Sequence, residues 1–517
     1  MQDSTVPLLR RLIGGDDSTV TEVFLARCAA SAGHLFVRTD HGTWSYAQAL
    51  KESERIAAYL ELIFAGGGSR HVAVLLHNSV YDLWAWFGAS LAGGVHCALD
   101  TAQRGALRAA HLSRVRAQVL VTEDRILESF GSELHEAGIR HVLLVGGHEN
   151  PQTPALDGIL VTHVADLPRP RLRAWPRREP GDVAALLYTS GTTGTSKLVA
   201  LPHNLLARGG ARLAQSLSLD HTDVFHHWMP RHHIGGQLHG VMSTIIGGGA
   251  LAMFPAFSTS EFLRQAREAR ATVFIGFANV LEYLLSTAAA ESDQDHHLRI
   301  GIIAGGNPTL RRRFETRFGV TLVDSYGMTE AEPLTLPAKT PPGSAGAVNP
   351  DFEVVVLDDS DRIAAIGATG VIAFRPRVPH VMMLEYHGDA TATVVAWRNL
   401  WFHTSDIGRM DASGNLYILD RMQNAIRRRG ENIASCDIES VLLLHPAIRA
   451  CAVVGVPVEA DVNIKAIIVL YPGATLESAN IRAYCESNMA KFMVPQIFEY
   501  RDSLPYTAMG KLDRARL

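Results

Sequence analysis

An α/β fold of layered, mostly parallel sheets is predicted by the way short apolar runs alternate with longer amphipathic stretches through most of the chain. Two changes of texture refine the expectation. From about Gly343 the runs shorten into "EVVVLDD", "GVIAFRP" and "GNLYILDR", as in a small β-rich subdomain. Near Asp420 a compact α+β unit begins. At 517 residues the chain is also too long for one core. The expected organisation is a large N-terminal domain, residues 1–420, followed by a small α+β domain, residues 421–517.

The elements follow in order. "HVAVLLHN", "AQVLVTED", "HVLLVGG" and "DVAALLYTS" are strand-like and bounded by polar or glycine punctuation. Between them, "YAQALKESERIAAYLEL" and "SVYDLWAWFGASLAGG" carry apolar residues at helical spacing. In the last segment "CDIESVLLLHP" and "SANIRAYCESNMA" read as helices, "IRACAVVGVP" and "IKAIIVLYP" as strands. Gly240 to Ser260 holds no charge, but its four glycines and its proline argue for a buried strand–turn–strand passage and against a membrane span.

Composition narrows the function. A formal charge of −4 argues against nucleic acid as the main partner. Five scattered cysteines without a C-x-x-C spacing fit neither a disulfide framework nor a structural zinc site, and suit a reducing compartment. The N-terminus lacks the apolar core of a signal peptide, so a cytoplasmic protein away from membranes is expected. Only six of the 48 basic residues are lysine (51, 197, 339, 465, 491 and 511). A lysine kept in so arginine-rich a chain marks a position to inspect.

The strongest chemical signal is "LLYTSGTTGTSKLVALPH", Leu186 to His203. A buried strand runs into an unbroken Gly/Ser/Thr loop that ends at Lys197. Such a loop offers backbone N–H groups, hydroxyls and one ammonium to a polyphosphate. It is not a Walker A loop, because Thr195 and Ser196 separate Gly194 from Lys197. A second feature is "FHHWMPRHHIGGQLHG", residues 225 to 240, with His226, His227, His232, His233 and His239. A zinc site would need three or four of these ligands to converge tetrahedrally, whereas adjacent histidines point in different directions.

The loop resembles the phosphate-loop signature of the adenylate-forming superfamily of acyl- and aryl-CoA ligases, peptide-synthetase adenylation domains and luciferases. Four more stretches resemble that family's motifs in the family's order: "DSYGMTEAEP" (324 to 333), "WFHTSDIGRMDASGNLYILDR" (401 to 421), "AIRRRGENIASCDIESVLLLHPAI" (425 to 448) and "LPYTAMGKLDR" (504 to 514). In style "RRRGENIASCDIE" is closest to the carnitine/crotonobetaine-type CoA ligases.

The resemblance implies ATP, Mg²⁺ and coenzyme A as cosubstrates, and the following roles. Thr189, Ser190, Gly191, Thr192, Thr193 and Gly194 wrap the β- and γ-phosphates, with Lys197 beside them. Tyr326 stacks on adenine, closed on the other side by Gly305, Gly306 and Asn307. Asp324, Ser325, Gly327 and Met328 complete the nucleotide segment. Thr329 touches the α-phosphate, and Glu330 holds Mg²⁺, a hard cation suited to carboxylate oxygen. Asp406 accepts the ribose hydroxyls with Arg421 beside it. Lys511 bridges the acid carboxylate and the α-phosphate as charge builds up. His233 gates the passage between acid site and thiol channel. The acid site itself is expected to include Phe277, Gly305 and Gly327, with Arg231 and His232 making it too polar for a fatty-acid channel.

Departures from the family pattern are Ser196 in place of proline, Gln423 and Asn424 at the interdomain hinge, and no Gly-Glu before "IKAIIVLYP". These keep an alternative open: an adenylating enzyme that loads a carrier protein or activates an anion such as nitrite for attack by an arylamine. A nucleotide sensor without turnover is a further rival. A homodimer is compatible with all three.

Overall fold

The computed structural model describes residues 17–146, 156–167, 174–189, 196–305, 308–338, 340–421, 426–428, 431–433, 435–458, 461–491, 493–506 and 512–517. Two large sheets dominate them, and each is parallel over most of its width. In the first, Val95–Ala98, His71–Leu75, Val119–Glu123, His141–Val145 and Leu160–His163 run parallel, and Val183–Tyr188 joins them beside Val95–Ala98. Val183–Tyr188 pairs antiparallel with Leu198–Pro202, which pairs antiparallel with Glu385–Tyr386. In the second, Leu35–Thr39, Ala250–Met253, Val224–His227, Val273–Phe277, Ile300–Ala304 and Thr321–Val323 are parallel neighbours, and only Gly42–Ser45 at the edge is antiparallel.

These strands are short Val/Ile/Leu/Ala runs because helices cover both of their faces. Helix Val80–Leu91 shows why: the residues from Leu83 to Leu91 are all buried, including Trp84, Trp86 and Phe87. A helix apolar on every side belongs between layers. Helix Tyr46–Ala65, by contrast, buries only one stripe (Ala49, Ser53, Ile56, Ala57, Leu60, Phe64), and the Ser45–Gln48 capping box starts it.

The β-rich subdomain is antiparallel: Phe352–Leu357, Gly370–Pro376 and Trp401–Met410 are neighbours, and Trp401–Met410 also pairs with Leu416–Arg421. Asp406 and Arg421 are cross-strand partners in that last pair. Toward the C-terminus, Ile448–Val458 and Asp461–Leu470 form an antiparallel pair extended by Ile497–Tyr500, with helices Ser435–Leu442 and Ser478–Asn488. Its side chains form an apolar cluster of their own, including Ile438, Val453, Ile464 and Ile481.

One expected passage is different. Gly240 to Ser260 contains the end of the π-helix Gly236–Met242, helix Ser243–Gly247 and strand Ala250–Met253, so it is helix–turn–strand and not strand–turn–strand. The apolar run is buried as expected, but periodicity cannot separate a short buried helix from a short buried strand. Among the described residues no helix is long and apolar enough to cross a membrane.

Candidate functional site

Four adjacent parallel strands of the second sheet end at one opening. The segments that follow Val224–His227, Val273–Phe277, Ile300–Ala304 and Thr321–Val323 all contribute to a cavity of about 1340 Å³. Ligand sites form in this position, outside the carboxyl ends of parallel strands. Tyr506, Leu512 and Arg514 line the cavity from the C-terminal side. The Tyr506 hydroxyl donates to Glu282 Oε2 at 2.9 Å across that boundary.

One wall carries the motif residues. The chain from Asp324 to Glu330 is pinned by its own backbone: Tyr326 N–H donates to Thr335 Oγ1 at 2.8 Å, and Met328 and Ala331 exchange two backbone bonds of 2.9 and 3.0 Å. The Tyr326 hydroxyl donates to Asp406 Oδ2 at 2.6 Å, which joins the second and third motifs directly. Asp406 is buried at 3 % exposure, behind the lining side chains. Asp324 lines the cavity and takes two 3.0 Å contacts from Arg311. Burial pushes its carboxyl up to about 7, against the pull of Arg311.

The phosphate loop springs from the Val183–Tyr188/Leu198–Pro202 pair. Its ends are tied by Thr189 N–H to the Lys197 carbonyl, 2.9 Å, and by Lys197 N–H to Thr189 Oγ1, 3.1 Å. Lys197 Nζ sits 4.4 Å from the centre of the Tyr386 ring. The Tyr386 hydroxyl donates to Glu330 Oε1 at 2.7 Å. The neighbouring carboxylate and burial together hold that phenol protonated far above its ordinary range, burial being the larger cause. Thus Lys197, Tyr386 and Glu330 form one group on the cavity wall.

A second part of the lining is built from Met229, His233, Ile234, Gly235, Ile275 and Phe277. His233 Nδ1 accepts the Gly235 N–H at 3.1 Å, and its ring meets the Phe277 ring edge-on at 6.2 Å between centroids. A Cβ on Gly236 would lie 2.2 Å from the Pro230 carbonyl oxygen, so the tight reversal that presents His233 needs glycine there. Gly305 and Gly327 also line the cavity.

The other histidines divide cleanly. His226 and His227 are buried on strand Val224–His227, and His226 packs 4.6 Å from the ring centres of both Phe254 and Phe262. Burial lowers the pKa of His226 to about 3 and drives that of His227 well below the usual imidazole range. Among the described residues no group of three or more His, Cys, Asp or Glu is placed to hold a metal. Arg231 does not make the acid pocket polar: it is 1 % exposed and donates to Asp82 Oδ2 at 2.6 Å in the core. His232 turns toward Asp100, at 3.9 Å. Their carboxylate partners lie about 130 to 150 positions upstream, out of reach of a local reading.

Tyr386 escaped the sequence reading, and His239 and Glu332, although inside quoted stretches, were given no role there. Tyr386 belongs to a two-residue strand with no motif around it. His239 lies on the π-helix Gly236–Met242 that follows His233, and Glu332 is two residues beyond the expected metal ligand. Ser190, Gly191, Thr192, Thr193, Gly194, Gly306, Asn307, Gln423, Asn424 and Lys511 lie outside the described residues.

Family models match in two parts, AMP-binding enzyme over residues 24–387 and AMP-binding enzyme C-terminal domain over residues 437–511. The chain belongs to the AMP-binding enzymes. It is 32 % identical over 489 residues to a crotonobetaine/carnitine–CoA ligase of Salmonella paratyphi C (strain RKS4594), covering 92 % of this chain and 93 % of that one. Among solved structures, ATP-bound MatB from Rhodopseudomonas palustris superposes with a TM-score of 0.82 at 24 % identity, covering 100 % of this chain and 98 % of that one. A benzoate CoA ligase from Burkholderia xenovorans LB400 gives 0.83 at 18 % identity, covering 100 % and 99 %. The fold is therefore that of the acyl- and aryl-CoA ligases, and this family member is an AMP-forming ligase. It uses ATP to activate a carboxylic acid as an acyl-adenylate, then passes the acyl group to a thiol.

Proposed function

We propose that this ligase activates a small carboxylic acid in the pocket between His233, Phe277, Gly305 and Gly327 and transfers it to coenzyme A. The observation that carries the reading is that one cavity is lined both by the Lys197, Tyr386 and Glu330 group and by His233 and Phe277. A carboxylate oxygen of the acid attacks the α-phosphorus of ATP, and pyrophosphate leaves. The thiol then attacks the acyl carbon, and AMP leaves.

Thr189 to Gly194 and Lys197 bind the β- and γ-phosphates. Thr329 and Lys511 stabilise charge at the α-phosphate, where fixed donors act most strongly in the transition state. Asp324, Ser325, Tyr326, Gly327 and Met328, with Gly305, Gly306 and Asn307, enclose the adenine. Asp406 and Arg421 receive the ribose, with the Tyr326 hydroxyl fixing the Asp406 carboxylate. Glu330 fits Mg²⁺: it is a buried carboxylate on the cavity wall, and this ion is usually held by one or two carboxylates plus substrate phosphates. Mg²⁺ would neutralise phosphate charge there.

Residues 1–420 form the adenylating domain and 421–517 the mobile domain that brings Lys511. A cytoplasmic protein, and a homodimer, complete the reading. The names of the relatives favour coenzyme A over a carrier protein or an arylamine as acceptor. The decisive experiment is ATP–pyrophosphate exchange with a panel of acids, followed by product mass with and without coenzyme A. Acid-dependent exchange and an acyl-CoA product are expected. Exchange without acyl-CoA would move the assignment to another acceptor.

A further inference from the structure

The acid pocket contains a pair of polar side chains that neither half-reaction uses. Glu332 is 7 % exposed and His239 6 %, and both face the cavity. His239 Nε2 lies 3.1 Å from Glu332 Oε1 without hydrogen-bond geometry, and neither ring nitrogen of His239 has a hydrogen-bond partner among the described residues. The carboxylate is seated deliberately close to the chain. A Cβ on Gly327 would lie 2.5 Å from the carboxyl carbon and both oxygens of Glu332, so glycine at 327 clears the space that Glu332 fills. Gly327 is in the lining assigned to the acid, so the carboxylate of Glu332 lies beside that pocket.

A buried carboxylate is costly unless charge or hydrogen bonds compensate it. The imidazole beside it makes no hydrogen bond to it, which leaves acceptor capacity on Glu332, since an ionised carboxylate has about four lone-pair sites. Of the acid-wall side chains, Met229, Ile234, Ile275 and Phe277 offer no side-chain N–H, and His233 is the one imidazole among them. A ligand can supply a further donor.

We infer that the preferred acid carries an N–H donor at the end remote from its carboxylate, received by Glu332 with His239 as the accompanying imidazole. This rests on the assignment of the His233/Gly327 pocket to the acid. A neutral arylamine and an aliphatic ammonium share the required chemistry.

The test is acid-dependent ATP–pyrophosphate exchange with pairs in which a methyl replaces the nitrogen group: 4-aminobenzoate against 4-methylbenzoate, and 4-aminobutanoate against pentanoate. In at least one pair the nitrogen acid should be favoured in kcat/KM by about tenfold or more, the scale of one hydrogen bond to a charged group. The pair that responds tells arylamine from ammonium. Glu332→Gln should bring that ratio toward one. A ratio is insensitive to a general loss of activity, and the wild-type comparison stands even if the variant folds poorly. Equal use of both members of each pair, or an unchanged ratio in the variant, would overturn the inference alone. If none of a broad acid panel drives exchange, the acid-pocket assignment fails first and the inference with it.

Discussion

The two walls of the cavity were built under different constraints. The nucleotide wall is tied from several directions: Tyr326 to Asp406, Tyr386 to Glu330, and Thr189 to Lys197, through hydrogen bonds of 2.6 to 3.1 Å. The acid wall is a set of apolar side chains, one edge-on His233–Phe277 contact and one isolated polar pair. The difference follows from what each must hold. ATP presents the same phosphates and ribose every time, so fixed donors and acceptors serve it. The acid is recognised by shape and by a few polar groups, which can change without disturbing the reaction. Substitutions on the two walls should therefore separate into effects on chemistry and effects on choice of acid.

The largest effect belongs to Lys511. If it stabilises charge only as the acyl-adenylate forms, Lys511→Ala should slow adenylation by about two orders of magnitude or more. ATP binding should weaken little, because the loop and Asp406 remain. Rapid-quench measurement of acyl-AMP, set beside thiol transfer from pre-formed acyl-AMP, checks it. An equal loss in both steps would place Lys511 outside the adenylation step.

Tyr386 should come next, since it touches both Lys197 and Glu330. Tyr386→Phe keeps the ring under the ammonium and removes the bond to the carboxylate. A loss of about tenfold in kcat/KM is expected, the scale of one bond to a charged group, with an increased Mg²⁺ requirement. If the Mg²⁺ titration is unmoved, Tyr386 does not position Glu330.

His233→Ala should act on the other wall. It should raise KM for the acid or slow the thiol step by about tenfold, and leave KM for ATP nearly unchanged. A rise in KM for ATP matching the rise for the acid would erase the distinction between the walls.

How far the sequence carried this site depended on the range of the contacts. The phosphate loop and Asp324 to Glu330 are contiguous, so their composition and order were legible and pointed to the family. The parallel sheets were legible for the same reason, each strand being a local apolar run. Arg231 was misplaced because what decides its direction is Asp82, on a helix 149 positions away. Tyr386 was missed because its significance comes from pairing with Val199 in the sheet, which brings it over Lys197. Gly240 to Ser260 was assigned the wrong element because burial is visible in composition and conformation is not.

The smallest effect should come from His226, buried on the strand that leads toward His233, which makes it a sensitive control. It contacts aromatic rings and not the cavity, so His226→Phe should leave both half-reactions nearly unchanged at neutral pH. Its stability signature is more specific. In the folded chain burial lowers its pKa to about 3 from an ordinary value of 6.5. As pH falls below 6.5 the unfolded chain takes up a proton there that the folded chain refuses until about 3, so folding stability is lost through that window. One such group contributes up to about 1.4 kcal/mol per pH unit. Phenylalanine cannot titrate, so the variant's melting temperature should fall less steeply than the wild type's between about pH 6.5 and 4.5, with His96, His203 and His227 still contributing in both. Thermal unfolding across that range measures the slopes directly. Identical slopes would mean that His226 binds its proton as readily in the fold as in the open chain. A variant that also lost acid-dependent exchange would mean that the strand behind the pocket takes part in holding the acid, and the boundary drawn between His226 and His233 would have to move.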